Sequence, residues 1–183
     1  MTAAESMALA RRCLVELPRR WRHVQGVGHR AEHVAEVLGL ADGALVAAAW
    51  LHDIGYGPAV ADTGFHPLDG ARFLRRVGAG ERMARLVAHH SYAVYEARVR
   101  GLEQELMAEF ERGKSITFDA LVFCDMTTGP DGKGIAVDDR IREVYERYGE
   151  GDISRALRMA EPDLRAATDR VSQAMNASDS PVR

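Results

Sequence analysis

The chain is organised around one stretch, Ala47-Ala48-Ala49-Trp50-Leu51-His52-Asp53-Ile54-Gly55. With a helical step of about 100° per residue counted from Leu45, His52 falls at about 340° and Asp53 at about 80°. Both polar residues therefore flank the apolar stripe and point inward. A buried carboxylate without a partner is costly, so we expect a cation bound jointly with the histidine. Because a carboxylate has two oxygens, Asp53 is also able to bridge two ions.

The composition describes one globular domain. Of 183 residues, 46% are hydrophobic and 28% are charged, which is typical of a folded chain. The net charge of −3 and the lack of a long basic block argue against a dedicated nucleic-acid surface. The longest apolar run, at residues 44–51, is too short to span a membrane, and the N-terminus lacks a signal-type apolar core. The only cysteines, Cys13 and Cys124, form no disulfide framework, so a cytoplasmic location is expected.

Helical periodicity and breakers predict an all-α orthogonal bundle without strand-period segments. We expect one domain over residues 1–183, with a core at about 19–128 and a C-terminal helical extension at about 138–175. A long amphipathic helix is predicted over about 94–111, and its stripe is available for a homodimer contact or for internal packing. The tail at 176–183 is predicted to fray. Four polar residues are predicted to cap helix N-termini: Asp42, Thr117, Asp138 and Asp152.

Other helices also place imidazole and carboxylate groups on apolar stripes. His23 shares a face with Val27 on the second predicted helix, and Asp125 shares the stripe of a later one. In the fifth, His90 points inward while His89 falls on the side of the arginines. The interior is therefore expected to collect His23, His52, Asp53, His90 and Asp125, with His66 joining from a helix start.

This collection of side chains predicts a metal site. Taken singly, a buried histidine is usually a hydrogen-bonded core residue, and a buried aspartate often pairs with arginine. Three or four inward histidines together with two inward aspartates are hard to explain in that way. Imidazole and carboxylate ligands suit one or two divalent ions of Fe, Mn, Ni, Co, Zn or Mg. With no inward cysteine near these groups, a structural thiolate zinc site is not expected.

The order of these residues resembles the HD-domain superfamily of metal-dependent phosphohydrolases. The resemblance rests on Arg22-His23-Val24-Gln25-Gly26-Val27, then Leu51-His52-Asp53-Ile54-Gly55, then a distant Asp125, and it covers about residues 19–128. It implies the metal ligands His23, His52, Asp53 and Asp125. The stretches Phe65-His66-Pro67 and Ala88-His89-His90-Ser91 look like the extra histidines of bimetallic members. They imply a second ion at His66, His89 and His90.

The resemblance also implies hydrolysis of a phosphomonoester or phosphodiester, with a small phosphorylated substrate such as a nucleotide. The chemistry is expected from His52, Asp53, His66 and His90, and Lys133 in a glycine-rich loop is a candidate phosphate contact. Two other functions stay open: a non-catalytic regulator that binds metal or nucleotide, and a di-iron oxygenase of HD type. Gly55-Tyr56 stands near the position of the acidic pair of guanosine tetraphosphate hydrolases, so that substrate is not implied.

Overall fold

The structure is a computed structural model that describes residues 1–178. The all-α prediction is confirmed, and the only β feature of those residues is a single antiparallel bridge between Thr128 and Gly134. Two short 3-10 turns, Ile54–Tyr56 and His90–Tyr92, interrupt the helical order. The helices are α1 (Ala3–Leu14), α2 (Pro18–Val37), α3 (Ala44–Leu51), α4 (His66–Arg76), α5 (Glu81–His89), α6 (Val94–Arg100), α7 (Glu103–Glu109), α8 (Ile116–Met126), α9 (Val137–Tyr148) and α10 (Asp152–Ser178).

Helix α3 lies at the centre of the molecule. All eight of its residues, Ala44–Leu51, are buried, because a helix that is apolar on every side must be covered on every side. It packs against α1, α2 and α8, while α4 pairs with α5. Helix α10 lies across α6 and α8 and closes the other side of the core. The polar pair at the end of α3 is consequently delivered into the interior.

The predicted long helix at 94–111 is wrong. Gly101 adopts a left-handed conformation (φ 75°), which ends α6 at Arg100, and α7 starts afresh at Glu103. The buried residues of α6, Val94 and Ala97, belong to the helix that packs on α10 inside the molecule. The homodimer stays a prediction.

Helix starts are less accurately predicted than helix centres. Gly43, not Asp42, occupies the N-cap of α3, and the Asp42 carboxylate accepts from the N–H of Ala44 at 3.0 Å. Ser115 caps α8 in place of Thr117, because its hydroxyl accepts the Phe118 N–H at 3.1 Å. The other two predicted caps already lie inside their helices: Asp138 follows the first residue of α9, and Asp152 begins α10.

Helix α10 runs further than predicted. It continues to Ser178, so the part of the predicted frayed tail at 176–178 is helical, and residues 179–183 lie outside the described residues. Within the described chain, neither this 27-residue helix nor any other is long and apolar enough to cross a membrane.

Candidate metal centre

Five segments deliver imidazole and carboxylate groups to one buried point. Helix α2 supplies His23, the end of α3 supplies His52 and Asp53, and α4 begins with His66. His90 opens the turn after α5, and Asp125 lies in the last turn of α8. His66 is partly buried. The five side chains predicted to point inward are all buried: His23, His52, Asp53, His90 and Asp125.

These groups form two adjacent clusters. In the first, one ligand atom from each of His23, His52 and Asp125 lies within 4.8 Å of the others. In the second, the same holds for Asp53, His66 and His90. Either cluster could hold a metal ion.

Asp53 joins the two clusters because its oxygens face different histidines. Oδ2 lies 3.3 Å from His52 Nε2 and 4.0 Å from His23 Nε2. Oδ1 lies 3.3 Å from His66 Nε2 and 3.8 Å from His90 Nε2. The carboxylate therefore has the placement of a bridge between two sites.

Three of the histidines are held in the same tautomer by the backbone. In each, Nδ1 must donate to a main-chain carbonyl, which leaves the Nε2 lone pair directed at the clusters. The bonds join His23 to Gly129 (3.1 Å), His52 to Ala49 (2.8 Å) and His90 to Val87 (2.7 Å). This arrangement is the usual way in which a protein orients imidazole toward a metal.

The unsatisfied atoms of the centre fit a cation. His52 Nε2 is buried and makes no hydrogen bond within the described part of the chain, although Asp53 Oδ2 lies 3.3 Å away. His66 Nε2 and His90 Nε2 lie 3.2 Å apart, and two facing lone pairs repel unless a proton or a cation lies with them. His23 Nε2 also faces Asp125 Oδ1 at 3.0 Å. A divalent ion would satisfy each of these atoms, so the residues of the centre fit a bound metal ion.

Burial and mutual charge move the pKa values of the centre far from their ordinary values. Burial raises the pKa of Asp53, but Arg20 and His52 outweigh it and hold that pKa well below the usual range. Burial likewise opposes the charge of Asp125, yet its hydrogen bond with His23 and the charge of His52 lower its pKa. Burial, His66 and His52 lower the pKa of His90 to about 3. Asp53 and Asp125 overcome burial at His52 and raise its pKa to about 8.

Gly55 explains why a glycine follows the His-Asp pair. A Cβ at this position would lie 1.9 Å from the main-chain oxygen of His66, so only glycine allows the turn after Asp53 to pack on the start of α4. That close approach carries the His66 ring to Asp53. The packing of one glycine therefore sets the geometry of the second cluster.

Arg20 and Tyr56 complete the cavity side of the second cluster. Arg20 donates to Asp53 Oδ2 at 2.6 Å, and its guanidinium lies 3.9 Å from the centre of the Tyr56 ring. The other face of Tyr56 stacks on His66 at 3.9 Å between ring centres. The tyrosine ring thus lies between a cation and an imidazole and holds both in place.

Ser91 supports the first cluster from a strained backbone. Its hydroxyl donates to Asp125 Oδ2, and its φ of 47° places a non-glycine residue in the left-handed region. Tyr92 shares that conformation (φ 57°). Such strain persists where the surrounding contacts overdetermine it and is concentrated at functional sites.

Two residues predicted from the sequence are not brought into the clusters. His89 is buried rather than on the polar face, and its Nε2 bonds to the Phe110 carbonyl at 2.7 Å, outside both clusters. Lys133 has a side chain that is 85% exposed, lies 3.5 Å from Asp131 and does not line the cavity at the centre. His89 is buried, although it lies on the side of α5 that carries Arg85, because the chain at residues 110–111 covers that side.

Four residues at the centre were not found by sequence reasoning: Arg20, Ser91, Arg140 and Arg147. Arg20 lies one helical turn before His23 on α2, so the two residues share a face of the helix. That spacing is the sequence signal that would have placed Arg20 at the centre. Nothing in the sequence distinguishes the two arginines of α9 from an ordinary solvated face.

The fold and the site together define a class: a helical protein with a buried centre suited to divalent metal. The HD domain model matches residues 20–126, more than half of the chain, and the chain belongs to the HD domain family. HD domains bind divalent metals and are generally hydrolases. No curated protein and no solved structure gave a match.

Proposed function

We propose that this protein is a divalent-metal-dependent phosphohydrolase that cleaves a phosphomonoester or phosphodiester bond in a small phosphorylated substrate, and we place nucleotides first among the candidates. The observation that carries the proposal is Asp53, whose two oxygens face two separate groups of imidazole nitrogens. Family membership supports the reaction class, and the histidine and aspartate clusters support the metal dependence.

The residues that would hold a first ion are His23, His52, Asp53 and Asp125. Asp53, His66 and His90 would hold a second, with Asp53 shared. Ions bound there supply charge neutralisation at the phosphoryl group and activation of water for its attack on phosphorus. The low pKa of His90, about 3, keeps its imidazole neutral at pH 7, which suits a ligand better than a proton donor.

The remaining side chains of the centre bind and orient. Arg20 is held by Asp53 and Tyr56 with its guanidinium at the cavity, where it can donate a hydrogen bond to a phosphoryl oxygen. Ser91 fixes the rotation of the Asp125 carboxylate through its hydroxyl hydrogen bond. Neither group needs to gain or lose a proton to do this.

The cavity beside the clusters has room for part of a substrate. It has a volume of about 140 Å³ and contains Asp53, His66, His90 and Asp125 together with the rings of Tyr92 and Tyr148. A second cavity of about 400 Å³ adjoins it beyond Tyr148 and Tyr56. Aromatic rings beside a phosphate site support a substrate with a flat organic part, such as a nucleotide base.

The test is phosphate release from a panel of nucleotides and an aryl phosphate, with Mn, Ni, Co, Fe or Mg added singly. The proposal expects hydrolysis that depends on the metal and that is abolished in the double variant His52→Ala/Asp53→Ala. Metal binding without hydrolysis of any substrate would instead favour a regulator. Oxygen consumption without phosphate release would favour the oxygenase.

A further inference from the structure

The two cavities are separated by a wall that is rich in arginine. Five residues line both of them: Arg20, Tyr56, Arg140, Arg147 and Tyr148. Asp53 and Asp125 line the first cavity and His23 lines the second. The wall therefore lies beside the two histidine and aspartate clusters, which could hold metal. Two of its arginines come from α9, which lies outside the stretch matched by the family.

Arg140 and Arg147 lie on one face of α9, two turns apart. Arg140 is only 7% exposed, an unusual position for an arginine. The Nε–H groups of both arginines are buried and find no acceptor among residues 1–178. A buried N–H without an acceptor is unfavourable, and two such arginines lining the same cavity indicate a ligand that supplies acceptors once the side chains adjust to it.

The two wall arginines of α9 share one carboxylate, that of Glu143. Glu143 accepts from Arg140 at 2.5 Å, from Arg147, and from Arg19 at 2.9 Å, so one carboxylate serves three guanidinium groups. Arg140 also lies near Asp125, whose Oδ1 is 4.0 Å from its guanidinium and is already bonded to His23 at 3.0 Å. These two α9 guanidinium groups therefore share a single hydrogen-bonded carboxylate, and a multiply charged anion in the cleft would add negative charge beside them.

We infer that the substrate is a phosphomonoester, whose terminal phosphate is held by Arg140 and Arg147 beside the metal-type clusters. The inference rests on the proposed function and narrows its substrate class. A terminal phosphate carries a charge of about −1.5 to −2 at pH 7 and offers three free oxygens as acceptors. A diester carries a single negative charge and offers two such oxygens, so it would leave the arginine pair under-neutralised and one donor without a partner.

Helix α9, which lies outside the matched residues 20–126, would then discriminate phosphomonoesters from phosphodiesters. The distance of 4.0 Å between Arg140 and Asp125 places this guanidinium next to the clusters, where it reaches the phosphate that reacts. Arg147, two turns farther along the same face, lines the same cavity and would donate to the same terminal phosphate. Both are binding residues that determine specificity.

The first test compares 4-nitrophenyl phosphate with bis(4-nitrophenyl) phosphate on the metal-loaded wild type. The inference expects the monoester to be preferred in kcat/KM, and a preference for the diester would overturn it. Arg140→Gln and Arg147→Gln should each lower kcat/KM for the monoester about tenfold or more, since a charge-assisted hydrogen bond is lost. The matched control is Arg142→Gln on the same helix, where Arg142 is exposed, paired with Asp139 and absent from both cavities.

The second test needs no catalysis and uses inorganic phosphate as the probe. Titration calorimetry should show phosphate binding to the wild type and to Arg142→Gln, and binding about tenfold weaker in Arg147→Gln. Arg147→Lys, which keeps the charge, should bind with intermediate strength and serves if Arg147→Gln does not fold. Phosphate binding that depends on the arginines in a protein that hydrolyses no ester would support the anion site and refute the proposed function. Equal binding by the wild type and both Arg147 variants would refute the inference alone.

Discussion

At the scale of single residues, Asp53 is the side chain on which the centre depends. One of its oxygens faces His52 and His23, and the other faces His66 and His90. The same carboxylate also accepts from Arg20. Burial raises the pKa of Asp53, but Arg20, His52 and His66 favour the ionised form and keep that pKa well below the ordinary value.

Two neighbouring histidines provide a test of the second cluster. His90→Gln removes a nitrogen that faces Asp53, so elemental analysis should find about one ion fewer per chain than in a wild type that holds two. His89→Gln is the matched control, because His89 is equally buried but bonds to the Phe110 carbonyl. Equal metal content in the two variants would argue against a second ion at this cluster.

The depressed pKa of His90 predicts an acid-sensitive fold in metal-free protein. Its pKa in the folded protein, about 3, is below the unfolded value of about 6.5, so unfolding takes up a proton at intermediate pH. The folded state should lose about 2 kcal/mol as the pH falls from 6.5 to 5. His52, with its pKa raised to about 8, acts in the opposite direction and loses its contribution as the pH rises from 6.5 through 8.

The measurement is urea unfolding of chelator-treated protein at pH 6.5 and pH 5. His90→Gln should show a smaller loss of stability than the wild type over this interval, since its side chain does not titrate. An identical loss in the two proteins would contradict the assignment to His90.

Much of the site was predictable at this scale, because buried polar residues on apolar stripes carry a helical phase. His23 and Asp125 are buried on the helical faces that the phase assigns to them, and His90 is buried as expected although it lies just past the end of α5. His89 does not follow the prediction, since a segment distant in the sequence, at Phe110, covers the side of α5 on which it lies. Arg140 could not be predicted, because arginine is usually exposed and its burial depends on how α9 meets the core.

At the scale of elements, the centre depends on how closely the segments pack. Gly55 meets the start of α4, and Gly26 on α2 meets the loop at Gly132, where a Cβ would lie 2.2 Å from the carbonyl oxygen. The latter contact positions the loop whose Gly129 carbonyl holds the His23 ring. These close backbone contacts explain why Gly55 and Gly26 are glycines, a reason that the sequence alone does not provide.

Gly55→Ala should destabilise the protein by about 1–3 kcal/mol or more, since the added methyl meets backbone rather than a flexible side chain. It should also move His66 away from Asp53 and reduce the binding of a second ion. Thermal unfolding and metal content measure the two effects. Gly113→Ala is the control, because the space around Gly113 is open. Wild-type stability and metal content in Gly55→Ala would show that the packing is not required.

Sequence reasoning predicted the helices well and their ends poorly. The apolar run of α3 requires burial on all sides, and that requirement is local. The break at Gly101 follows from a left-handed residue that an amphipathic pattern does not exclude. Which residue caps a helix depends on a single hydrogen bond, as Ser115 shows against the equally suitable Thr117.

At the scale of the whole molecule, the clusters connect segments that are distant in the chain. His23 and Asp125 are 102 positions apart, and the first cluster joins α2, α3 and α8. An ion bound by residues that come together only in the folded state stabilises that state alone. Metal binding should therefore raise the stability of the entire bundle.

Adding a divalent ion at about 100 times its dissociation constant should raise stability by about 2.7 kcal/mol and Tm by about 5–10 °C. Differential scanning calorimetry of chelator-treated protein, with and without the ion, measures this shift. The double variant His52→Ala/Asp53→Ala should show no shift. A similar rise in that variant would place the stabilising ion elsewhere.

The central claim is that Asp53 lies between two metal sites built from five segments of the chain. Its most direct test is a crystal structure of the protein grown with manganese, using anomalous scattering to locate the ions. We predict two anomalous peaks, one among His23, His52 and Asp125 and the other among His66 and His90, with an Asp53 oxygen bound at each. Side chains gathered as described here but without any peak between them would contradict the claim.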